Sequence, residues 1–280
     1  MTDPRPGRSV ETYRFLRLAM VVLVVLLLTA VLRERLADGT RCFETTISAY
    51  YFTPVQGVFT ASLGALGVCM IVIKAADGAE DLALAIGGML AVVVGLVPTS
   101  ERARCTASPL NDLDVAARVD NNVWSALLAG AVGVIVAALV AQRRGQLSPM
   151  TRRHRSGLLV TAALLLTGVV WFVAWRDGFI AHVHNTAAIG LFASVVAVVA
   201  LNAWECRSRD DRRTLSRRYL VVLTAMIVLG GGLIVARWFG FEAGLLAAEV
   251  VVIALFAAFW LVQTDELWDD GPRPPRDTGP

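Results

Sequence analysis

One carboxylate stands inside an otherwise apolar run: Glu249 interrupts residues 243–263. An ionisable group at membrane depth is costly, so it pairs, protonates or meets water, and it marks a functional candidate. Glu249 lies six residues past the expected outer start of its helix, roughly 9 Å down at about 1.5 Å per residue. Two chemistries fit it. As a structural acid it pairs with Arg237 or is neutralised by burial; as a working acid it carries protons or contacts a substrate. Glu242, seven residues earlier, shares its helical face. His182 and His184 form an H-x-H pair in FIAHVHNTAA. An extended segment would let both rings reach one metal ion, whereas on a helix they diverge by about 200°. Metal ligation with Glu242 as a third ligand, pH sensing, and hydrogen-bonded interfacial histidines are the three readings of this pair. Ser48, Tyr50 and Tyr51, with Asn121 and Asn122, complete a candidate outer polar pocket. The asparagines are placed to cap a helix, and Trp124 beside them suits a membrane interface. No catalytic residue is assigned. The chain has no Gly-rich phosphate loop, G-x-S-x-G, H-E-x-x-H or C-x-x-C, so no cofactor is expected.

These residues need helices to hold them. Residues 45–73 carry no charge over 29 positions, more than the roughly 20 that cross a bilayer. Pro54 divides the run, and aromatic Tyr50, Tyr51 and Phe52 precede it. The arrangement predicts a short interfacial or re-entrant segment over 45–53, then a spanning helix over 55–73. Further uncharged runs predict spans over 18–32, 82–100, 122–142, 156–175, 184–204, 219–236 and 243–263. Eight spans in an all-α transmembrane bundle result, between a polar segment 1–17 and an Asp- and Pro-rich tail 265–280 with little to bury. Residues 18–32 are short for a span, and cleavage as a signal peptide would leave seven. A retained anchor is preferred, because no A-x-A site follows before Arg33 and flanking arginines can snorkel. Small residues in ASLGALG, AIGGMLA, at Gly130 and Gly133, and at Gly230 to Gly232 allow close helix packing. The last group could also act as a hinge.

Composition agrees: 56% hydrophobic, 18% charged and mean hydropathy +0.62 describe a chain that belongs in lipid. A net charge of +3 gives no case for nucleic acid, and the expected partners are membrane lipids. With the N-terminus inside, the inner segments hold 18 Lys and Arg and the outer ones 8, which obeys the positive-inside rule. Arg143, Arg144 and the cluster at 212–218 could also meet anionic headgroups. This topology places Cys42 and Cys105 together on the outer side, Cys69 within a span and Cys206 inside. Only the first pair faces an oxidising compartment, so a Cys42–Cys105 disulfide is predicted, with two free thiols as the alternative.

The motif Thr46 to Pro54, TISAYYFTP, is followed by Gly64, Gly67, LVPTS at 96–100, VDNNVWS, HNTAA and EVVVIALFAAFWLVQTDELW. In these blocks the chain resembles a family of uncharacterised multi-pass membrane proteins of actinobacteria and other bacteria, many of which have Ser at the position of Thr46. The resemblance implies topology and a bacterial plasma membrane, and carries no activity. More remotely the chain is similar to the CREST superfamily of seven-helix membrane hydrolases and receptors. In those a metal is held by helix histidines, including an H-x-x-x-H near the C-terminus, and the last two spans here contain no His.

Three functions follow as expectations. A non-catalytic envelope sensor or scaffold needs only the fold and an outer disulfide cap. A proton-coupled transporter would use Glu249. A lipid-directed metal hydrolase would use His182, His184 and a carboxylate.

Overall fold

In the computed structural model, residues 8–37, 42–75, 78–100, 103–105, 112–143, 152–207 and 213–269 are described. All regular structure among them is helical. The helices are α1 (Arg8–Ala37), a 3-10 helix (Ser48–Phe52), α2 (Gln56–Val72), α3 (Gly78–Leu96), α4 (Asp112–Arg143), α5 (Arg152–Ala174) and α6 (Arg176–Arg207). A last pair follows: the rod α7 (Arg213–Ala225), π segment (Met226–Gly230) and α8 (Gly231–Trp238), then α9 (Gly244–Glu266). Seven of these units are long and apolar enough to cross a membrane, and α2, at 17 residues, is shorter. The chain is a multi-pass membrane protein.

Most helices overrun the charge-free runs that announce them. α1 begins at Arg8 instead of residue 18, α4 at Asp112 instead of 122, and α6 at Arg176 instead of 184. Charge-free length marks the part in contact with lipid, while backbone hydrogen bonding continues past it wherever neighbours or water serve the polar side chains. Asn121 and Asn122 therefore lie a turn or more inside α4 and do not cap it. The expected tail also starts too early. Leu267 is buried, Arg14 on α1 donates through Nε to the Trp268 carbonyl, and its guanidinium lies over the Trp268 ring and 3.5 Å from Asp269. Residues 265–269 thus belong to the bundle, and 270–280 lie outside the described residues. The same contacts put the start of α1 and the end of α9 at one end of the molecule.

α1 is a member of the bundle, with Met20, Val24, Leu27 and Val31 on one buried stripe at the helical period. The main core joins that stripe to α2, α3, α6, α7 and α9 around Phe259 and Trp260, whose rings meet at 5.0 Å. α2 and α3 cross most closely. A Cβ built on Gly67 would stand 2.5 Å from the Gly88 carbonyl oxygen, and one on Gly88 2.5 Å from that of Gly67. Thr60 adds a 3.0 Å hydrogen bond to the Gly95 carbonyl. Small residues here let backbones touch, as expected. At Gly133 there is nothing within 4 Å, so the same explanation fails there.

The GGG run marks a π segment, one residue of extra winding that ends at Gly230. Of the three glycines only Gly230 packs closely, its missing Cβ facing Val252 on α9. The rod ends in a Schellman turn: Phe241 N–H donates to Ala236 O at 3.0 Å and Gly240 N–H to Arg237 O at 3.3 Å. Gly240 has φ +97°, which is what this turn requires.

Candidate functional site

At the end of the bundle opposite the termini, a strap of residues 42–53 crosses over the helices. Its chain is tied down at three places. Cys42 is bonded to Cys105, with Cα atoms 5.7 Å apart. Two residues on, the buried Glu44 carboxylate accepts the Arg104 N–H at 2.6 Å and the Cys105 N–H at 3.1 Å. Further along, Glu249 Oε2 accepts the Ile47 N–H at 2.6 Å. Ile47 precedes the 3-10 helix Ser48–Phe52, so an acid from α9 sits at that helix's N-terminus. An amide that begins a helix has no partner within it, and a carboxylate supplies one with favourable charge. Thr46 Oγ1 accepts the Ala49 N–H at 3.0 Å, and Thr53 Oγ1 donates to Tyr50 O at 2.9 Å. Thr46 and Thr53 thereby close the strap's own backbone, and its aromatic residues face inward.

Tyr50, Tyr51 and Phe52 are 2–3% exposed. Their neighbours are Leu27 and Val31 of α1, Phe59 and Leu63 of α2, Val94 of α3 and Leu246 of α9. Tyr51 meets Phe52 and Phe59 edge to face at 5.5 and 6.3 Å. Burial pushes the Tyr50 phenol above its ordinary value. Tyr50 and Tyr51, expected to line an outer polar pocket, instead form the packed body of the strap.

Beneath the strap lies a cavity of about 70 Å³, walled by α1, α2, α3, α6, α9 and residues Ile47 and Ser48. Glu249 and Ser48 are the polar side chains on its wall, and the rest are aliphatic, Met or Phe. The polar pocket expected from sequence is therefore replaced by an apolar one with a single acid at the strap.

The remaining candidates are dispersed. His184 is buried, with Nδ1 2.6 Å from the Val97 carbonyl, a geometry that places the proton on Nδ1; buried Nε2 has no hydrogen-bond partner among the described residues. His182 is exposed beside Trp175, ring centroids 6.4 Å apart. Both sit within α6, so the rings diverge as helical geometry demands. No group of three His, Cys, Asp or Glu side chains converges on a point among the described residues. Glu242 and Arg237 are both exposed, and Glu242 forms a 4.0 Å ion pair with Arg104. Asn121 is exposed, and Asn122 Nδ2 donates to Leu96 O at 2.9 Å, tying α4 to α3.

A second polar cluster, at the termini end, has no counterpart in the sequence expectations. Asn202 (α6) donates through Nδ2 to Glu80 Oε1 (α3) at 2.6 Å and to its own helix at Val198 O. Gln263 (α9) donates through Nε2 to Asn202 Oδ1 at 2.9 Å and lies 3.4 Å from Glu80 Oε1. Arg17 and Glu205 are buried at the same end. Beside them Tyr219 donates to Glu266 Oε2 at 2.5 Å. Asn202 and Gln263 each close an apolar run, and amides in that position are the visible signal of such a network.

Compared with protein-family models, with curated proteins and with solved structures, the chain matches none.

Proposed function

We propose that the protein is a non-catalytic sensor or scaffold of a bacterial plasma membrane, with both termini cytoplasmic and the strap 42–53 on the outer face. The observation that carries this reading is the Glu249–Ile47 hydrogen bond. The one acid within the last span is engaged in holding a main-chain amide, and through it the bundle holds the strap. Any ligand that alters the Glu249 contact alters the strap, and the disulfide keeps the strap's far end in place while it moves. The excess of basic residues on the termini side supports the orientation, as does a disulfide at the opposite end. The resemblance of TISAYYFTP to bacterial multi-pass proteins supports the location.

A second reading, a proton-coupled transporter, is favoured by the position of Glu249 on a cavity wall. Purified protein in liposomes separates them: proton-coupled solute uptake that disappears in Glu249→Gln supports transport, and its absence with a loosened strap in that variant supports sensing. The dispersion of His182, His184 and Glu242 gives the metal-hydrolase reading no such observation.

A further inference from the structure

The space under the strap has a closed side and an open one. Its walls on α1, α2 and α3, such as Leu27, Met70 and Val94, are buried, whereas Ala188 and Phe192 of α6 and Val252 of α9 are only half-buried. The opening therefore lies between α6 and α9. Toward the termini the gap is shut by α7, where the Ser216 hydroxyl donates to the Ala203 carbonyl of α6 at 3.2 Å. Val252 is eight residues past Gly244, the start of α9, so roughly 12 Å along it at about 1.5 Å per residue. At that depth a span is surrounded by hydrocarbon, and whatever enters by this gap comes from lipid.

Size and lining narrow the occupant. The cavity, about 70 Å³, is roughly half the volume of a 150 Å³ aliphatic- and Phe-lined protein cavity that takes benzene or xenon. Water is a poor occupant, because it needs about 2–4 polar partners. The polar side chains on this wall, Glu249 and Ser48, stand together at the strap, and Glu249 already accepts the Ile47 amide. We propose that the cavity binds one small, uncharged, apolar gas molecule, of the size of xenon or dioxygen, taken from the bilayer through the gap between α6 and α9. Such a molecule gives up no polar contact on leaving lipid, and it restores the dispersion contacts that a void denies its walls. Charged solutes are kept out by the hydrocarbon they would have to cross. Ile47 and Ser48 belong to the wall, so an occupant braces the strap. That coupling rests on the sensing role proposed above, while the binding claim stands on the cavity alone.

The test uses full-length protein in nanodiscs of phosphatidylcholine and phosphatidylglycerol, with Ile, Leu, Val and Met methyl groups observed by NMR under rising xenon pressure. Saturable shifts are expected at Met70, Leu191 and Ile253, which line the cavity. Exposed Leu128 and Val132 on α4 should show only the linear change of xenon dissolved in the bilayer. Ala188→Leu at the opening and Ala91→Val on the opposite wall each fill part of the space, and either one, folded, should lose the saturable shifts. Saturable shifts that persist in both variants, or cavity methyls that follow xenon pressure as Leu128 does, overturn the proposal. Nuclear Overhauser contacts from water or from lipid acyl chains to the Met70 methyl would also overturn it, by identifying a different occupant. Hydrogen exchange across 46–52 should slow under xenon. If it does not while the methyl shifts saturate, the sensing role fails and the cavity assignment stands.

Discussion

At the scale of single residues, two acids do similar work in different places. Glu44 and Glu249 each turn a carboxylate toward main-chain amides of a loop, and hydrogen bonds to a charged group contribute about 1.5–3 kcal/mol. Glu44→Ala should therefore destabilise by roughly 2–4 kcal/mol, since two amides lose one acceptor, read as a fall in thermal midpoint in a mild detergent. Glu44→Gln should recover part of that loss. The buried amides at the other end predict a similar penalty. Asn202→Leu removes a donor to Glu80 and should cost about 2–4 kcal/mol by leaving the acid short of a partner, whereas substituting exposed Asn121 should change little. Glu249 was legible in sequence because a charge inside an apolar run has no bland explanation. Glu44 was not, since an acid between two spans reads as a solvated loop until the fold shows which amides it meets. His182 and His184 were legible as a pair, but only the helix they share decides that one faces the interior and the other does not.

Among elements, the tightest constraint is the α2–α3 crossing. Gly67→Ala or Gly88→Ala would force a methyl group to 2.5 Å from a backbone oxygen, so the helices must separate. Each should cost about 1–3 kcal/mol or more and lower folded yield. Gly133→Ala, with open space around it, should be neutral or gain up to about 1 kcal/mol from helix propensity. A pair of thermal unfolding curves makes the comparison. The same elements show how far sequence reaches. The eight helical units, with α7, the π segment and α8 as one rod, the break at Pro54 and the short segment before α2 follow from hydropathy and from proline's missing donor. Helix ends do not, because α1, α4 and α6 carry polar turns beyond the hydrocarbon that only tertiary neighbours explain. The π segment before Gly231 is likewise invisible in a run of glycines that reads equally as packing or as a hinge.

For the molecule as a whole, the disulfide and the paired termini mark the two ends of the bundle. Cys42–Cys105 closes a loop that spans α2 and α3, so its reduction should loosen the strap without unfolding the bundle: protease sensitivity should rise near Phe43, while the helical signal persists. Sequence predicted the bond from sidedness alone, and the same sidedness placed both termini together, where Arg14 meets Trp268 and Asp269. What it misplaced was the site. An outer pocket assembled from every polar residue on one side overlooks that Glu249, His184 and Asn122 bond to backbone, that Tyr50 and Tyr51 pack inward and that Asn121, His182, Arg237 and Glu242 stay exposed, leaving hydrocarbon to line the space between helices.

The account centres on an acid from the last helix holding the strap by the Ile47 amide. Hydrogen-exchange mass spectrometry on peptides covering 46–52, comparing wild type with Glu249→Leu in the same nanodiscs and with the disulfide intact, tests it most directly. The expected result is at least a tenfold faster exchange confined to that segment, with peptides from α9 unchanged. Equal protection of the strap in the two proteins would contradict it.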